Sequence, residues 1–149
     1  MSRPARIFWA LLLLAAGNRA AADPPAGILQ VEIRLPAGAT GEVRVALCSS
    51  LNQFLDRQTP ARRIARQAAG TSVTLPFTNL PPGRYALKAY LDRNGNQELD
   101  LDWLGLPQEP WAISNDIRAE PSPRSWESAA FPFDPAANPA PPLQILDLK

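Results

Sequence analysis

Leu80-Pro81-Pro82-Gly83-Arg84-Tyr85-Ala86-Leu87-Lys88-Ala89-Tyr90-Leu91-Asp92 has the pattern of a turn feeding a strand. Proline fixes φ and glycine frees it, so Pro81-Pro82-Gly83 predicts a tight turn. Beyond the turn, Tyr85, Leu87, Ala89 and Leu91 alternate with Ala86, Lys88 and Tyr90, which is the two-residue period of a half-buried strand. The first set is expected to face a core and the second to face outward. A segment this regular belongs at the centre of a sheet.

Working towards the N-terminus, the same period recurs. Val73, Leu75 and Phe77 are predicted inward within Thr71 to Phe77, Val43, Val45 and Leu47 within the segment after Gly41, and Val31, Ile33 and Leu35 within Ile28 to Leu35. The turn-forming residues Pro36 to Gly41 predict that the first two strands form a hairpin. Ser49 or Ser50 can cap a helix of at most two turns ending at Phe54-Leu55, because Pro60 bars continuation. Arg62 to Ala69 alternates weakly and carries Arg62, Arg63 and Arg66, as suits a solvated edge strand that discourages pairing with other chains.

Towards the C-terminus, nine prolines from Pro107 to Pro142 preclude long regular elements. The expected pieces are a helical turn at Ser125 to Ala130, a short strand at Phe131 and Phe133, and a closing strand from Leu143 to Leu148. Trp103, Trp111 and Trp126 lie in this part, and residues this large and apolar are expected to pin its loops onto the sheets. The whole predicts an all-β sandwich of about seven strands with short helical turns and a proline-rich C-terminal third.

At the other end, Arg3 and Arg6, the apolar run Ile7 to Ala16 and the small residues Ala20 to Ala22 have the three parts of a secretory signal. The run is too short to span a bilayer, which takes about 20 apolar residues. Cleavage before Asp23 is expected, giving a signal at 1–22 and a single domain at 23–149 that is periplasmic or secreted and does not insert into membrane. That mature chain would carry twelve basic and fourteen acidic residues and no basic stripe, so nucleic acid is not an expected partner. Cys48 is the lone cysteine, so no internal disulfide can form.

The strand that follows the Pro81-Pro82-Gly83 turn runs into Asp92-Arg93-Asn94-Gly95-Asn96-Gln97-Glu98-Leu99-Asp100-Leu101-Asp102. Asp92, Asn94 and Asn96 stand at positions one, three and five of a tight loop, the spacing that aims oxygens at a hard cation such as Ca2+. The carbonyl of Glu98 at position seven and Asp100 at position nine would complete the shell. The loop is not an EF-hand, because Gln97 and Trp103 stand where that motif requires glycine and a bidentate glutamate. The competing reading is a hairpin turning at Asn94-Gly95, with Glu98, Asp100 and Asp102 on an exposed strand face.

The order of these pieces, together with Leu80-Pro81-Pro82-Gly83-Arg84-Tyr85-Ala86, Asp92 to Asp100, Leu104-Gly105-Leu106-Pro107, Ser114-Asn115 and Ala129-Ala130-Phe131, resembles the exported bacterial domain-of-unknown-function family number 2141. The likeness covers nearly all of residues 23–149 and implies export and architecture, with no established activity. The family's loop reads Asp-x-Asn-x-Asn-Gly-x-Leu-Asp, and this chain departs from it at Gln97. Leu-Pro-Pro-Gly-Arg-Tyr is also similar to the turn and strand of prealbumin-like sandwiches, which implies an immunoglobulin-like topology.

The chain has no histidine, which removes the usual general base and every imidazole metal site. The expectation is a non-catalytic binding module for a glycan or an envelope protein, with Trp103 and Trp111 as its binding residues and a structural calcium loop beside them. A purely structural envelope domain is the alternative. A hydrolase using Asp100 and Asp102 ranks third, because a carboxylate pair without a cleft is not a site.

Overall fold

The computed structural model describes residues 25–56, 59–137 and 143–149, so the expected signal at 1–22 lies outside the described residues. Two sheets pack face to face. The smaller has β1 (Gly27–Arg34) at its centre, paired antiparallel with β4 (Ser72–Leu80) and parallel with β8 (Leu143–Asp147). The larger runs β3 (Arg62–Gln67), β2 (Glu42–Cys48), β5 (Gly83–Asp92), β6 (Trp111–Ile113), and β7 (Phe131–Phe133) pairs with the first residues of β5. The sandwich therefore has eight described strands, and β5 is central, bonded to β2 on one side and to β6 and β7 on the other.

The alternation in the sequence is the cause of the core. Leu29, Val31 and Ile33 of β1 and Val73, Leu75 and Phe77 of β4 face Val43, Val45 and Leu47 of β2 and Tyr85, Leu87, Ala89 and Leu91 of β5, all of them buried. Each fully buried Val, Leu, Ile or Phe contributes about 1.5–3 kcal/mol from removal of apolar surface from water, so this set dominates the stability of the fold. The β4–β5 turn is tied down by Tyr85, whose phenol donates to the carbonyl of Pro81 at 2.8 Å.

The expected β1–β2 hairpin does not form. The two strands lie in different sheets with their apolar faces opposed across the core. Their connection is too long for a two-residue hairpin, and its Leu35 and Ala39 pack against the core while Leu35 N–H donates to Thr71 O at 2.9 Å. The link is thus a plug across one end of the sandwich. β3 is an edge strand as expected, although Arg62 is not merely solvated, since its guanidinium donates to the carbonyls of Thr78 and Asn79 at the end of β4.

A second apolar cluster covers the outer face of the larger sheet, where the sequence predicts solvent. Ala86 is fully buried there with Cys48, Phe54, Ile113, Trp126 and Ala129. The cover consists of α1 (Leu51–Leu55), capped by Ser50, and α2 (Pro123–Ala129). α2 starts earlier than the helical turn predicted at Ser125, because Ser122 caps it through a reciprocal bond with Ser125 and Pro123 supplies a φ already suited to a first turn. Phe54 and Trp126 meet with ring centroids 5.6 Å apart. Ser114, fully buried, stitches the layers together: its hydroxyl accepts from Leu87 N–H at 3.0 Å and donates to Ala129 O at 2.7 Å. Beside it, Asn115 adopts the left-handed conformation and donates to Ser128 O at 2.9 Å.

Candidate functional site

Asp92 ends β5 in phase with Lys88 and Tyr90, on the sheet's outer face, yet it is buried because the following loop folds back over it. Its carboxylate organises that loop. Oδ1 accepts from Gly95 N–H at 2.7 Å, and Oδ2 accepts from Gln97 N–H at 2.9 Å and from Arg44 Nε at 3.1 Å. Asn94 Oδ1 then accepts from Asn96 N–H at 3.0 Å, and Asn96 Oδ1 from Glu98 N–H at 2.9 Å. The two amide nitrogens point at Asp100, Asn94 Nδ2 donating to Oδ2 at 2.6 Å and Asn96 Nδ2 to Oδ1 at 2.8 Å.

Gln97 has φ +69, the left-handed conformation that glycine takes without cost and other residues take at about 1–2 kcal/mol. The hairpin reading is overturned, since Arg93 to Glu98 form no ladder and are wound by their own side chains. A narrower hairpin comes later, where Leu101 bridges Pro107. At its end Asp102 Oδ1 accepts from Leu104 N–H at 2.8 Å and Leu106 N–H at 2.9 Å. Asp102 N–H donates to Leu106 O at 2.8 Å and Gly105 N–H to Asp102 O at 2.9 Å.

Residues 31–140 match the family described as "Uncharacterized protein conserved in bacteria (DUF2141)". The chain belongs to that family. No curated protein and no solved structure matches it.

Of the five residues expected to ligate a cation, the structure of this DUF2141 domain brings the side chains of Asn94, Asn96 and Asp100 together; the Asp92 carboxylate is turned to the N–H groups of Gly95 and Gln97 and to Arg44, and Glu98 donates its N–H to Asn96 with its side chain exposed. It separates the two tryptophans expected to bind. Trp103 is 89% exposed at the hairpin tip with Leu104 at 59%, Leu106 at 53% and Leu101 at 36%, so it anchors nothing. Trp111 is half-buried in β6 against the outer cluster. Asp100 and Asp102 flank the Leu101–Pro107 bridge, and both carboxylates are engaged in hydrogen bonds within the loop.

Three residues of the site escaped the sequence reading. Arg44 of β2 lies across from Tyr90 and is held between Asp92 and Glu42, its Nη2 to Glu42 Oε2 distance being 2.9 Å. Glu109 is buried, and its Oε1 accepts from Arg93 N–H at 2.7 Å, fixing the loop from its far side. Tyr90 donates its phenol proton to Gln97 O at 2.7 Å. Outward alternation on β2 and β5 placed Arg44 and Tyr90 on the right face but could not show that the loop covers it. Nothing in the Gln108-Glu109-Pro110 context marks Glu109.

The phenol of Tyr90 is pushed up to about 12, first by burial and then by the negative charges of Asp92 and Glu109, against the opposing pull of Arg44 and Arg63. Its ordinary value is about 10, so the fold favours the protonated form. That contribution is complete below pH 10 and is lost as pH rises through about 12. Tyr85 is raised in the same direction by burial. Comparing wild type with Tyr90→Phe therefore isolates one phenol. We expect thermal stability of the wild type to fall more steeply above pH 10, and parallel curves would show that the Tyr90 phenol titrates alike in the folded and unfolded chain.

Proposed function

We propose that this chain is an exported, non-catalytic binding module whose contact surface is the Trp103–Leu106 hairpin tip. The observation supporting this reading is the tip itself: a nearly fully exposed Trp, flanked by leucines, on a backbone locked by Asp102. A large apolar group in water is unfavourable for the free protein, and a rigid one loses little entropy when it is covered. Capture of envelope proteins or glycans by the mature chain, repeated with Trp103→Ala, tests it. Undiminished capture by the variant removes the tip from the function. Recovery of the protein only from the cytoplasmic fraction, with residues 1–22 still attached, would remove export.

A second reading concerns the loop beneath the tip. We propose that it takes Ca2+ as a structural ion, through Asp92, Asn94, Asn96, Asp100 and the carbonyl of Glu98. The meeting of the Asn94, Asn96 and Asp100 side chains supports this, as does left-handed Gln97 at the position where such loops place glycine. Turning over the Asn94 and Asn96 amides would present oxygen in place of nitrogen, so the donor set fits a hard cation. A site with Kd of ~0.1 mM in ~1 mM calcium adds about 1.4 kcal/mol, a rise in Tm of about 5 °C. A melting curve that ignores both calcium and chelator would end this reading.

A further inference from the structure

The tip's backbone says what kind of surroundings it suits. In the hairpin end, the N–H groups of Asp102, Leu104, Gly105 and Leu106 are all bonded within the tip, two of them to the Asp102 carboxylate. Among the described residues, Trp103 N–H and the carbonyls of Trp103, Leu104 and Gly105 at the apex have no protein partner, which suits the hydrated headgroup layer, where water still reaches them, and not the hydrocarbon interior. The run Trp103-Leu104-Gly105-Leu106-Pro107 carries no charge, and Leu101, Trp103, Leu104 and Leu106 are all exposed. Trp with apolar neighbours is the side chain enriched where hydrocarbon meets headgroups. Behind the tip stand Glu98, Asp100 and Asp102, with Arg93 the one basic residue in the stretch from Asp92 to Pro107.

We infer that the tip docks in the interfacial layer of a zwitterionic lipid bilayer, with Trp103 and the leucines in the headgroup and acyl boundary and the acidic loop outside it. The inference rests on the binding-module reading and names its partner. It involves no spanning element, and among the described residues no helix is long and apolar enough to cross a membrane. The acidic residues behind the tip disfavour anionic lipid by like-charge repulsion.

The test uses the folded mature chain, chelator, and vesicles of phosphatidylcholine and phosphatidylethanolamine in large excess. Tryptophan emission should shift to the blue and be quenched by chain-brominated lipid. Adding phosphatidylglycerol should weaken binding. Trp103→Ala and Leu104→Asp, both with unchanged melting curves because neither side chain packs in the core, should each lower the bound fraction about tenfold. A folded wild type that ignores every vesicle overturns the inference, as does equal binding by Trp103→Ala. Trp103-dependent capture of a protein by a chain that ignores vesicles would overturn the lipid partner and leave the binding module standing. Loss of both would remove both.

Discussion

Gly41→Ala is expected to lower stability by about 3–5 kcal/mol, a fall in Tm of about 10–20 °C. Two penalties coincide at this residue. Its φ of +116 is strained for any side chain, and a Cβ there would overlap the carbonyl oxygen of Asp92 and lie 3.0 Å from Arg93 Cα. All of those atoms are backbone, so no rotamer change relieves the overlap. The connection between the sheets and the start of the loop must move apart, and that motion would also disturb the bond from Ala68 N–H to Gly41 O. A melting curve within a few degrees of wild type would mean that the two segments separate at little cost.

Asp92→Ala should cost about 2–4 kcal/mol, because it strips partners from three donors at once. Gly95 and Gln97 lose the acceptor that winds the loop, and Arg44 keeps only Glu42. The upper part of that range would apply if Arg44 were fully buried, but its side chain is 23% exposed, so water recovers part of the loss. Asp92→Asn retains the shape and one acceptor and should fall between the variant and wild type. Denaturant unfolding of the three proteins measures the order. Asp92→Ala at wild-type stability would show that the loop is wound by Asn94, Asn96 and Glu109 without it.

What the sequence revealed and what it hid follow from the range of each interaction. Alternation is local, and it located β1, β2, β4 and β5 with their inward residues. It could not assign strands to sheets, because a strand facing a core has the same period on either side, and so the β1–β2 hairpin was expected where a crossover exists. Ala86 looked outward by parity, and only α1 and α2, distant in sequence, make that face a second core. Asp92, Asn94, Asn96 and Asp100 were legible as a loop from their spacing. The residues holding that loop from outside, Arg44 and Glu109, were not, since Arg44 lies 48 residues before Asp92 and no local pattern spans that distance. Trp103 ran the other way: hydrophobicity argued for burial, and a hairpin closed by Asp102 holds it in solvent.

The parallel pairing of β1 with β8 has a consequence for the order of events during folding. β1 cannot be flanked on both sides until β8 has arrived, so the smaller sheet stays incomplete until residues 143–147 are in place. Contacts that close so long a loop form late and slow the folding rate, leaving an open strand edge in the meantime. β1 and β8 act as a clasp, and refolding measured with and without residues 143–149 would read how much of the sandwich waits for it.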